Sequence, residues 1–241
     1  MKKLYRSAVR STIGGFVALF AGIFLPAWTL DYWQGWAFFV ALGTSSTVAT
    51  VYIAIHDPRL FASRVTMGPA AEETRTQKII TMAGLPVFVA ALVAMVLDHR
   101  FGWSPAVPVW VSIAGDIVIV LGLYVYYLVT KENTYAASTV RVIEGQTVCS
   151  TGPYAFLRHP MYAGALLVFL GAPLALGSWW GLLVVPVAAA GFAWRLLDEE
   201  KVLISELPGY AEYLQRVRYR LVPHVWWAKP DSELLLFHVT S

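Results

Sequence analysis

The chain has 241 residues, of which 58% are hydrophobic and only 14% charged, with a formal net charge of +3. Soluble domains carry about 25% charged residues, so this composition excludes an ordinary soluble enzyme and points to one integral membrane domain. There is no basic run with interleaved aromatics to meet nucleic acid, and the single cysteine, Cys149, permits neither an internal disulfide nor a zinc cluster.

A bilayer core takes about 20 apolar residues per helix. The first apolar run, 12–30, follows Lys2, Lys3, Arg6 and Arg10 in the manner of a signal peptide. No small-residue cleavage site follows Phe20, so it reads as a retained helix. After a tight turn at Asp31 and Tyr32 comes a second span, 33–55. A polar loop, 56–78, holds Pro58, Gly68-Pro69 and a charged patch at Glu72-Glu73-Thr74-Arg75. The third span, 79–97, contains Pro86, which predicts a kink or a boundary, and closes with Asp98-His99-Arg100. A fourth covers 107–130, and the polar segment 131–158 that follows lacks the hydrophobicity to enter the membrane.

Two shorter apolar pieces, 160–176 and 179–194, are joined by Gly177-Ser178 and predict a tilted or partial hairpin. Gly164, Gly171 and Gly177 along it suit close helix packing. Beyond Arg195 the chain is polar and amphipathic, broken at Pro208-Gly209, with an apolar patch at 234–237.

The lysines and arginines fix an expected orientation. With the N-terminus inside, every loop rich in them falls on the same side, and only Arg100 falls opposite. The prediction is an all-α, polytopic membrane helical bundle in the cell inner (plasma) membrane, with both termini cytoplasmic. It comprises four spans plus a C-terminal helical hairpin and a cytoplasmic amphipathic helix. Residues 1–130 form its N-terminal helices, and 131–241 a C-terminal region expected to hold the site.

Two polar clusters bracket the hairpin. Gly152-Pro153 makes a turn, and Pro160 suits the first turn of a helix that begins as the chain enters the membrane. The free N–H groups there favour an anion or electron-rich ligand, beside Arg158, His159 and Tyr162. In the second cluster Arg195 and Glu199 stand at i, i+4, with Asp198 and Glu200 beside them. A partly buried Arg–Glu pair at a membrane edge can hold a substrate carboxylate through the planar guanidinium. Tyr210 and Tyr213 extend the wall of the same pocket or face the interface. No Walker-type, GxGxxG, HExxH or nucleophile-elbow motif is present, and no metal site has support.

Arg158-His159-Pro160-Met161-Tyr162, with Thr151-Gly152-Pro153-Tyr154 before it and Arg195-x-x-x-Glu199-Glu200 after it, closely resembles the isoprenylcysteine carboxyl methyltransferase family of integral membrane enzymes. The likeness takes in Asn133 to Val148 and Leu207-Pro208-Gly209-Tyr210-x-x-Tyr213, and ends near Arg220-Leu221-Val222-Pro223. The His-Pro-x-Tyr element is shared with sterol reductases and phospholipid methyltransferases. The resemblance implies S-adenosylmethionine as methyl donor, contacted by His159, Pro160 and Tyr162, with Tyr154, Leu157 and Gly152 as adjoining wall and Glu200 nearby. It implies that Arg195 and Glu199 serve catalysis on a lipophilic or lipidated acceptor drawn from the membrane lipid, with a carboxylate as the expected methyl-accepting group. Pro208-Gly209 departs from the Phe-Gly that family members often carry. A phospholipid N-methyltransferase, an NADPH-dependent sterol-type reductase and a non-catalytic membrane scaffold or sensor remain the rival readings.

Overall fold

A computed structural model describes residues 2–65, 75–136, 142 and 145–226. The charged patch at 72–74, Arg141 and the apolar patch at 234–237 lie outside the described residues.

Helices account for most of the described chain. They are α1 (Lys2–Ala27), α2 (Trp33–His56), α3 (Pro58–Val65), α4 (Arg75–Phe101), α5 (Val109–Glu132), α6 (Pro160–Ala175), α7 (Val184–Glu206) and α8 (Tyr210–Arg216). A single tight turn, Gly152–Ala155, precedes α6, and another, Trp180–Leu183, leads into α7. Among the described residues five helices are long and apolar enough to cross a membrane, and α6 is a shorter apolar sixth. Large apolar side chains such as Val17, Leu25, Val48, Leu85 and Ile117 point outward and exposed, which suits lipid rather than water.

The helical-bundle expectation holds, with two revisions at the element level. Pro86 marks no boundary, because α4 continues through it to Phe101. The second arm of the hairpin does not stop at Trp194 but runs to Glu206. Arg, Leu, Glu and Lys are strong helix formers, and the charged side chains beyond Arg195 find protein partners, so helix persists where hydrophobicity ends. The first arm is short as expected: 16 residues span roughly 24 Å at 1.5 Å each.

The tightest packing joins α5 to α6. A Cβ at Gly122 would stand 2.5 Å from the carbonyl oxygen of Gly164, and one at Gly164 would stand 2.7 Å from that of Gly122. Gly115 and Gly171 oppose each other in the same way one heptad further along. Backbones touch because no side chain intervenes.

The end of the bundle away from Pro160 is bolted by polar groups. Buried Asp98 accepts hydrogen bonds from the backbone N–H of Ser104 (2.7 Å), the Ser104 hydroxyl (2.8 Å) and the Ser178 hydroxyl (2.5 Å). Tyr32 donates to the Leu176 carbonyl at 2.6 Å while stacking on His99. Ile23, Phe24, Phe38, Val96, Ile119 and Ala175 form the apolar core beside these groups.

Candidate functional site

At the opposite end, the segment before α6 lies against the chain after α8. The backbone N–H of Arg158 donates to the Tyr219 carbonyl at 2.9 Å, and that of His159 to the Arg220 carbonyl at 3.0 Å. Pro160 then starts α6 at a position where its missing N–H costs nothing. These paired backbones bring residues 40 to 60 positions apart into one buried cluster.

Glu200 is its centre. Its carboxylate accepts from Arg158 at 3.3 Å, stands 3.2 Å from the His159 ring, and accepts from Arg220 at 2.9 Å. Arg158 is not a snorkelling side chain. Its Nε donates to the Val217 carbonyl at 2.7 Å and a terminal nitrogen to that of Leu214 at 3.1 Å, closing the carbonyl end of α8. A guanidinium held by carbonyls and a carboxylate satisfies the requirement that a buried charge be both paired and hydrogen-bonded.

One helical position away, Glu199 takes a different direction. The Tyr162 hydroxyl donates to Glu199 Oε2 at 2.7 Å and accepts from Arg195 Nε at 3.0 Å. Arg195 also donates to the Thr81 hydroxyl of α4 at 3.2 Å. Nearby, Gln77 donates to Asp198 at 2.8 Å and to the Arg195 carbonyl at 3.3 Å. The arginine and glutamate expected to act together are therefore bridged through the tyrosine of the other cluster.

Two hollows meet here. A polar cavity with ≈ 760 Å³ of empty space, open to solvent on one side, is lined by Tyr154, His159, Pro160, Tyr162 and Glu199, with Asn133, Gln146 and Tyr210 across from them. An apolar groove of ≈ 810 Å³ runs between α4 and α7, walled by Ile80, Val87, Phe88, Val187 and Phe192, and Arg195 is among its lining residues. The rings of Tyr162 and Phe192 stack, centroids 5.4 Å apart, as a partition between the two.

Of the residues singled out from sequence, Tyr154, His159, Pro160, Tyr162 and Glu199 share the cavity wall, and Arg195 stands behind Tyr162 on the groove side. Gly152, Leu157 and Glu200 stand off that lining. Gly152 sits against Glu132 with φ 55, and Leu157 pairs with Tyr219. Sequence reasoning passed over Gln77, Thr81 and Arg220 as partners of the site. Thr81 is a polar residue inside the apolar run that begins at 79, and Gln77 stands one turn before it at i−4, a signal that this face of α4 meets protein. Among the described residues no group of three or more His, Cys, Asp or Glu side chains could hold a metal ion.

Residues 110–207 match the family model described as phospholipid methyltransferase. The matched stretch runs through α5, α6 and α7 and contains His159, Tyr162, Arg195, Glu199 and Glu200. The chain is also similar to the cobalt-zinc-cadmium resistance protein CzcN of Cupriavidus metallidurans. The two are 28% identical over 152 residues, which cover 61% of this chain and 68% of that protein. The match likens residues 110–207 to a phospholipid methyltransferase domain.

Proposed function

We propose that this protein transfers a methyl group from S-adenosylmethionine, held in the polar cavity, to a lipophilic acceptor whose tail rests in the apolar groove between α4 and α7. The observation that carries this reading is the partition. Tyr162 lines the cavity, Arg195 lines the groove, and one hydrogen bond joins them. A polar donor and an apolar acceptor would thus meet at a wall one side chain thick. Such proximity supplies much of what a direct displacement requires.

The cavity's chemistry fits the donor. It offers a stacking ring at Tyr154, amide groups at Asn133 and Gln146, and the Glu199 carboxylate to face positive charge. The bound donor would supply an electrophilic methyl on a sulfonium; the methyl–sulfur bond breaks as the methyl–acceptor bond forms, leaving a neutral thioether. His159, Pro160, Tyr162 and Tyr154 are the proposed contacts, with Gly152 and Leu157 supporting the wall from behind. Glu200 acts on the donor through His159, whose ring it touches.

Arg195, fixed by Tyr162 and Thr81, is proposed to orient a carboxylate at the end of the groove, giving an O-methyl ester. Glu199 holds the Tyr162 hydroxyl in line. The family match favours a second acceptor, the amine of a phospholipid headgroup. Incubating the purified protein with native lipids and a deuterated-methyl donor separates the two by mass spectrometry. A labelled, base-labile ester supports the carboxylate, and a base-stable N-methyl product supports the amine. A preparation that neither binds the donor nor labels any lipid would end the methyltransferase reading.

A further inference from the structure

Five tyrosines line the polar cavity, and four of their hydroxyls have protein partners. Tyr135 donates to the Gly145 carbonyl at 3.0 Å, Tyr154 accepts from Asn133 at 3.1 Å, Tyr162 bridges Arg195 and Glu199, and Tyr213 donates to the Tyr154 carbonyl at 2.8 Å. The fifth is Tyr210. Its side chain is buried, only 4% exposed, yet its hydroxyl oxygen meets no donor or acceptor among the described residues.

Packing alone does not ask for that hydroxyl. The Tyr210 ring belongs to an apolar cluster with Leu207, Tyr213, Leu214 and Val217, where phenylalanine would fill the same space. A buried polar atom without a partner destabilises the fold, so its presence in a cavity wall points to a ligand group that completes it. Burial, reinforced by the charges of Glu200 and Glu199, pushes the Tyr210 phenol well above its ordinary pKa. The group therefore stays protonated and acts as a donor.

We propose that the Tyr210 hydroxyl is a binding contact for the nucleoside part of the methyl donor, donating to a ribose hydroxyl oxygen or a ring nitrogen. This rests on the methyltransferase reading. The choice of nucleoside follows from charge. The phenol feels two carboxylates, Glu200 and Glu199, against one opposing guanidinium, Arg158, which disfavours an anionic acceptor. The donor's ammonium and sulfonium accept no hydrogen bond, and its carboxylate is the anion just disfavoured. The nucleoside alone then offers neutral acceptors. A nucleoside seated against this wall would give the hydroxyl its partner.

The test is Tyr210→Phe in the full chain in detergent, with binding of S-adenosylhomocysteine and of 5′-methylthioadenosine measured by calorimetry, and melting followed without ligand. The expected result is a ligand-free melting temperature equal to or above that of the unchanged protein. Affinity for both ligands falls by the same factor, roughly 3- to 10-fold, the worth of a neutral hydrogen bond. Equal affinity of Y210F and the unchanged protein would overturn the inference while leaving the methyltransferase reading intact. Loss confined to S-adenosylhomocysteine would overturn the nucleoside assignment. A variant that melts much lower or fails to fold would make the hydroxyl structural and overturn the proposal. Failure of the unchanged protein to bind either compound, or S-adenosylmethionine itself, would sink the underlying reading and the inference with it.

Discussion

Glu199 and Glu200 are neighbours in sequence, but about 100° of helix rotation separates their side chains. One carboxylate lines the cavity and the other faces inward, against Arg158, His159 and Arg220. A motif written as two adjacent glutamates contains no information about which does which. The pairing of Glu200 with Arg220 was equally hidden, because it depends on backbone hydrogen bonds between residues 158–159 and 219–220. Glu200→Gln would remove the carboxylate charge that faces two buried guanidinium groups, at a cost of about 3–5 kcal/mol. We expect it to lower the melting temperature sharply in detergent before any effect on transfer is measured. Tyr162→Phe should behave in the opposite manner, with melting nearly unchanged. Hydrogen bonds to charged partners are worth about 1.5–3 kcal/mol, so transfer should fall roughly 10- to 100-fold in a single-turnover assay.

At the scale of helices, the apolar runs gave away their number because a bilayer demands length and hydrophobicity together. What ends a helix was harder to read. Pro86 is a strong local breaker, yet α4 passes through it, since membrane helices re-satisfy the freed backbone group. The charged stretch after Trp194 looked like the edge of a span and is the C-terminal part of α7. Gly164 and Gly171 were visible as a packing face, but their counterparts on α5, Gly115 and Gly122, were not, because spacing within one helix does not name the facing helix. Gly122→Val forces the two backbones apart and should destabilise by about 1–3 kcal/mol, read from thermal unfolding in detergent. Since Asn133 follows α5 directly and His159 precedes α6 directly, and both line the cavity, the same variant should also weaken the proposed donor binding.

For the molecule as a whole, the one-sided distribution of lysine and arginine sets an expected orientation, with the cavity on the cytoplasmic side. Cys149 offers a direct measurement. It is the single cysteine, is partly exposed, and lines the cavity beside Thr151 and Glu132. A membrane-impermeant maleimide should modify it in inverted vesicles and leave it untouched in intact cells; the reverse pattern would invert the topology. The bolt of Asp98, Ser104 and Ser178 at the far end has its own bearing on traffic. In the proposed reaction this packed end would stand between Tyr162 and the opposite face of the bundle. Under the proposed transfer, a greasy product would leave by the sideways opening between α4 and α7, into the leaflet that delivered its precursor, making the protein a one-sided dock rather than a conduit.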